Sequence, residues 1–138
     1  MTGCIAIIPA RGDSKGIPRK NLETVSGKTL VARAIEAAIK CPSITRIVVT
    51  SEDQSILDEA QRFDIETVRR PKEIANDDSP IESAIIHALV EAESLAPLPK
   101  ILALLQPTSP LRDPTQLENA IRFFTESGTY GAIFGVIP

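Results

Sequence analysis

The chain has no tryptophan, one tyrosine, four phenylalanines and a single histidine, His87. Platforms that stack single-stranded nucleic acid need aromatic rings, and 4% aromatic residues do not supply them. Two cysteines, Cys4 and Cys41, are too few for a disulfide framework. With one histidine they also leave a four-ligand zinc site short of donors. No apolar run approaches the ~20 residues that cross a bilayer. No basic leader precedes an apolar core, and Pro9 and Arg11 interrupt the first apolar stretch, so no signal peptide is expected. Positive charge is not in excess either: 15 Lys and Arg against 18 Asp and Glu leave a net charge of −3. That argues against DNA, RNA or an anionic membrane as partners, though not against a local basic pocket. The expectation is a soluble, cytoplasmic protein.

What is present is an ordinary globular balance. The 138 residues are 43% hydrophobic and 24% charged, which suits one domain over residues 1–138. A chain of this size should bury ~68% of its unfolded surface. Short apolar runs alternate with helical periodicity. Strands are expected at 4–9, 45–50, 65–68, 100–105 and 132–137, where β-branched or apolar residues cluster. Helices are expected between them. Residues 29–40 place Val31, Ala34, Ile35, Ala38 and Ile39 on one face, and Pro42 ends the run. Residues 52–63 carry Ile56, Leu57 and Ala60, with Ser51 as the expected N-cap. Ser79-Pro80-Ile81-Glu82 reads as a capping box with proline at the first helical position, and Asp113-Pro114-Thr115-Gln116 repeats it. Cys4, Cys41 and His87 read as packing residues. This βαβαβαβαβ order predicts an α/β fold, a mostly parallel sheet with helices on both faces. Ligands of such sheets bind at the carboxyl ends of the strands, where strand order reverses. Three loops therefore matter: 10–21, 69–78 and 106–113.

The first loop holds Arg11, Lys15, Arg19 and Lys20 against the single acid Asp13, so it is +3 in a chain of −3. Gly12 and Gly16 let backbone approach a ligand. Arg11 can fork two phosphate oxygens, Lys15 and Lys20 act as point charges, and Asn21 is both donor and acceptor. This chemistry fits a triphosphate; the same charges also suit a solvated loop. Gly27-Lys28-Thr29 resembles the end of a phosphate-binding P-loop, but Leu22 stands where that motif needs glycine. The adjacent Arg69 and Arg70 could meet phosphate, ribose or a base carbonyl, or pair with Asp77 or Asp78 on the surface. Gln106, Thr108 and Ser109, set between prolines, suit substrate hydroxyls or an ordinary turn.

Residues 7–21, I-I-P-A-R-G-D-S-K-G-I-P-R-K-N, resemble the signature of the acylneuraminate cytidylyltransferases, the CMP-sialic acid synthetases. Residues 26–30, 70–75 and 104–112 follow in that family's order and spacing, so the resemblance covers the whole chain. The KDO cytidylyltransferases are less similar. The resemblance implies a nucleotide-diphospho-sugar transferase-like (Rossmann-like) fold whose C-terminal part is missing here, because the family's catalytic domains are longer. It implies transfer of CMP from CTP to a nine-carbon acidic sugar, with release of pyrophosphate. Arg11 and Lys20 would hold the triphosphate as the catalytic pair. Gly12, Ser14, Lys15 and Asn21 would seat the nucleotide, and Arg70 would face the cytosine and ribose. Gln106, with Ser109 of the same turn, would contact the sugar. Mg2+ is implied, with its ligands expected mainly beyond Pro138 and none assigned in this chain. Asp13 departs from the family's usual glycine, and Ile81 from a small hydroxyl residue. Two further expectations stand: association into a homo-oligomer, and, as the alternative reading, a non-catalytic CTP-binding module or half-enzyme that needs a partner chain.

Overall fold

The computed structural model describes residues 3–14, 17–18, 24–25, 27–75, 80–107, 113–127 and 131–134. Five strands form the main sheet: β1 (Cys4–Pro9), β2 (Ile44–Ser51), β3 (Glu66–Arg69), β4 (Ile101–Leu104) and β5 (Gly131–Phe134). Their order is β3-β2-β1-β4-β5 and every pairing is parallel. The order reverses between β1 and β4, where crossovers from the two halves diverge and leave a crevice at the carboxyl ends. The expected α/β architecture is the one observed.

Four helices connect the strands: α1 (Leu30–Ile39), α2 (Gln54–Gln61), α3 (Ile81–Leu95) and α4 (Pro114–Ser127). Alternation along β1 divides the core. Cys4, Ala6 and Ile8 pack with Val31, Ile35, Ile56, Ala60, Leu117 and Ile121, so α1, α2 and α4 cover one face. Ile5 and Ile7 point the other way and meet Val48 with Ala88 and Ala92 of α3. The alanines Ala84, Ala88 and Ala92 recur every fourth residue and bring α3 close to the sheet. Burying the apolar side chains of β1 on both sides, each contributing ~1.5–3 kcal/mol, makes it the central strand. Both cysteines are buried packing residues, as expected.

The helix starts show local chemistry. Thr29 caps α1 by accepting from the Ala32 amide at 3.1 Å, so the Gly27-Lys28-Thr29 run is a turn and cap. Asp113 caps α4, accepting from Thr115 N–H at 2.8 Å with Pro114 at the first helical position. Two expectations are corrected. α2 begins two residues later than expected, and its cap is Asp53, which accepts from Ser55 N–H at 2.8 Å. Ser51 is still held in the β2 ladder opposite Arg69, so it cannot take the cap position. α3 starts at Ile81 with Pro80 as its cap residue, one place later than the capping box implied. Ser79 lies outside the described residues.

Arg46 on β2 fixes the far end of α3. It donates to both carboxylate oxygens of Glu66, at 2.9 and 2.5 Å, and to the carbonyls of Ala92 and Ala96 at 3.0 Å each. A guanidinium on the terminal carbonyls also complements the helix dipole. Glu118 ties α4 to the α1–β2 turn: it accepts from Ser43 N–H at 3.0 Å, Ser43 O–H at 2.6 Å and Arg122 Nε at 2.7 Å. Among the described residues, no helix is long and apolar enough to cross a membrane.

Candidate nucleotide site

Three backbone bonds extend the ladders beyond the strands and aim three loops from one edge of the sheet. Ala10 N–H donates to Thr50 O at 3.0 Å, Arg70 N–H to Ser51 O at 2.8 Å, and Leu105 N–H to Ile7 O at 3.0 Å. The segments that follow β1, β3 and β4 therefore leave the carboxyl edge next to one another. The first was expected to be a plain loop. It carries a short antiparallel ladder instead, Asp13–Ser14 against Ile17–Pro18.

Arg11, Gly12 and Arg70 come together around the turn after β2. Arg70 is 5% exposed, and its Nε and Nη2 have no hydrogen-bond partner among the described residues. Burial lowers its proton affinity; the Glu52 carboxylate opposes that effect and the Arg11 guanidinium adds to it. A guanidinium remains charged under such a shift, because its ordinary pKa lies so far above neutral. Among the described residues the buried charge has the Glu52 carboxylate and the Arg11 guanidinium near it, so its burial is only partly compensated there. Thr50 Oγ1, wholly buried at the same end of β2, is likewise without a partner among the described residues. Arg69 reads differently from its neighbour. It is exposed, donates to Glu52 O at 3.0 Å and binds Gln54 Oε1, so it braces the β2–α2 turn.

Gly12 packs against that turn. A Cβ placed on it would lie 2.3 Å from Asp53 Oδ2 and 2.6 Å from Asp53 Cβ. Its N–H donates to both oxygens of Glu52, at 3.2 and 3.0 Å. Gln106 is exposed just past β4. Ser14 is described in its backbone only, and Lys15, Lys20, Asn21 and Ser109 lie outside the described residues, as do Asp77 and Asp78.

The turn after β2 was not among the three loops singled out. Glu52 and Asp53 had been read as the start of a helix. The available signal was positional: in a sheet with β2 beside β1, polar residues at the end of β2 adjoin the first loop. Only the strand order reveals that adjacency. As for a metal, no group of three or more His, Cys, Asp or Glu among the described residues could hold one. Of the acids beside Gly12, Glu52 is engaged with an amide and Asp53 with a helix cap. The described residues therefore do not fit a divalent cation.

An all-parallel sheet with this order defines an α/β protein of the Rossmann-like class. The sequence profile described as cytidylyltransferase matches residues 5–137. The chain belongs to the cytidylyltransferase family. It is 35% identical to an N-acylneuraminate cytidylyltransferase of Escherichia coli O18:K1:H7, over 98% of this chain and 31% of that protein. It is 32% identical to a CMP-N,N'-diacetyllegionaminic acid synthase of Legionella pneumophila, over 90% of this chain and 54% of that one. The chain thus spans between about a third and a half of these relatives. Among solved structures, CMP:2-keto-3-deoxy-manno-octonic acid synthetase in complex with CTP superposes with a TM-score of 0.74 at 21% identity, over 93% of this chain and 49% of that one. The expected nucleotidyltransferase fold is therefore found.

Proposed function

We propose that the protein binds CTP at the carboxyl edge of its sheet and serves a cytidylyltransferase that activates an acidic sugar. The observation that carries this reading is Arg70, a buried guanidinium with two unpartnered nitrogens beside Arg11. In a chain of this family such a group suits the acceptor atoms of a nucleotide. Arg11 and Lys20 would take the triphosphate, and Gly12, Ser14, Lys15 and Asn21 would line it. Arg70 would meet the ribose or cytosine side, and Gln106 and Ser109 the sugar. The relatives' names support an N-acylneuraminate-type sugar, nine-carbon and acidic, and they span sialic and legionaminic acids.

In the reaction the sugar's anomeric hydroxyl oxygen bonds to the α-phosphorus and gives up its proton. The bond from that phosphorus to the bridging oxygen breaks, and pyrophosphate leaves. Arg11 and Lys20, as fixed cations, would stabilise charge that grows on the departing pyrophosphate. The family's chemistry also calls for a divalent cation such as Mg2+; the described residues do not fit it, so no step is drawn through it. Calorimetric titration with CTP, UTP, GTP and ATP tests the reading. Saturable binding of CTP above the others is the expected result, and no binding of any nucleotide overturns it. Turnover with CTP, Mg2+ and sialic acid separates an active enzyme from a binding module.

A further inference from the structure

Glu52 is half-buried on the turn after β2, forty residues from Gly12 in sequence. Both its oxygens take the Gly12 amide, at 3.2 and 3.0 Å. Its charge offsets burial at Arg70. Its own carbonyl is held by Arg69 Nη1 at 3.0 Å. Its neighbour Asp53 closes on the Gly12 Cα so tightly that no side chain fits there. One residue therefore links the loop after β1, the end of β2 and the segment after β3.

The geometry points to Glu52 as the positioning residue of this site, resting on the CTP-binding reading above. It acts through the Gly12 amide, which fixes the start of the basic loop at Arg11 and Gly12, and its negative charge offsets the burial of Arg70 nearby. A carboxylate accepting from an amide makes a charge-assisted bond, stronger than a neutral one. Without it, the Gly12 N–H and the Arg70 guanidinium would each lose their negative neighbour. The loop would then leave its place before the ligand arrives, and binding would carry the cost of ordering it.

The test pairs amide hydrogen exchange with CTP titration on Glu52→Ala and Glu52→Gln. In Glu52→Ala, Gly12 exchange should accelerate ~10-fold or more while the amides of Ile7 and Val49 stay protected, and the CTP dissociation constant should rise ~10-fold. Glu52→Gln keeps an acceptor oxygen and loses the charge, so Gly12 protection should return while affinity stays below the parent's. A merely structural role would lower the melting temperature and leave CTP affinity of the folded protein intact. Unchanged Gly12 exchange in Glu52→Ala overturns the inference, as does released exchange with unchanged CTP affinity. If core amides open as well in Glu52→Ala, the isosteric Glu52→Gln decides by its affinity alone. Failure of the parent chain to bind any nucleotide instead sinks the CTP reading, and Gly12 exchange then decides whether Glu52 holds the loop.

Discussion

Arg70 shows how a single residue can oppose stability and serve binding at once. A buried guanidinium with unpartnered nitrogens costs free energy in the unliganded chain, by ~1–3 kcal/mol for groups of this kind. Arg70→Met should therefore melt at or above the parent temperature, while the stabilisation by CTP disappears; scanning calorimetry with and without CTP reads both. Gly12 presents the opposite case. Gly12→Ala places a methyl within 2.3 Å of Asp53 and should cost ~1–3 kcal/mol by overpacking, measurable by urea denaturation. Arg11, Gly12 and Arg70 stand out in the sequence because glycine and arginine beside a strand end suggest a phosphate loop, and the structure brings the three together. Glu52 does not stand out, because an acid before a helix looks the same whether it faces solvent or an amide.

Elements are held by side chains that reach across to neighbours. Arg46 joins β2, β3 and the last turn of α3 through Glu66 and two carbonyls. Arg46→Ala should destabilise by ~2–3 kcal/mol, and Arg46→Lys should recover little, since one ammonium cannot replace the planar fork. Chemical denaturation of both variants checks this. Glu118 carries a pH dependence. Its partial burial raises the carboxyl pKa, but hydrogen bonds from Ser43 and the charge of Arg122 outweigh that and leave it below the usual range. A depressed folded pKa contributes stability that is present above the unfolded carboxylate value and lost as pH falls through the folded one. Glu118→Gln should thus flatten the acid limb of melting temperature against pH and leave the neutral-to-alkaline limb parallel to the parent's. At Asp113 the cap followed the sequence rule. At Ser51 it did not, because the β2 ladder holds that residue.

For the whole molecule, β1 belongs to two cores at once: Ala6 and Ile8 face α1 and α2, while Ile5 and Ile7 face α3. Neither face keeps its packing if the other opens, so one cooperative unfolding transition is expected, with circular dichroism and exchange of both faces coinciding. Two separated transitions would count against this. Ligand linkage acts on the same transition: CTP at 100-fold over its dissociation constant should add ~2.7 kcal/mol and raise the midpoint by several degrees, with ATP producing no comparable shift.

The sequence by itself determined the alternation of strand and helix, the parallel sheet and the family, since apolar periodicity, capping residues and the run from Ile7 to Asn21 are local and survive without coordinates. Strand order, and with it the neighbours of the site, was decided by tertiary structure alone. Which strand lies beside β1 depends on how crossovers pack, not on any residue in the strand. That choice brings Glu52 to Gly12 across forty residues of chain and buries Arg70 with its Nε and Nη2 unpaired among the described residues.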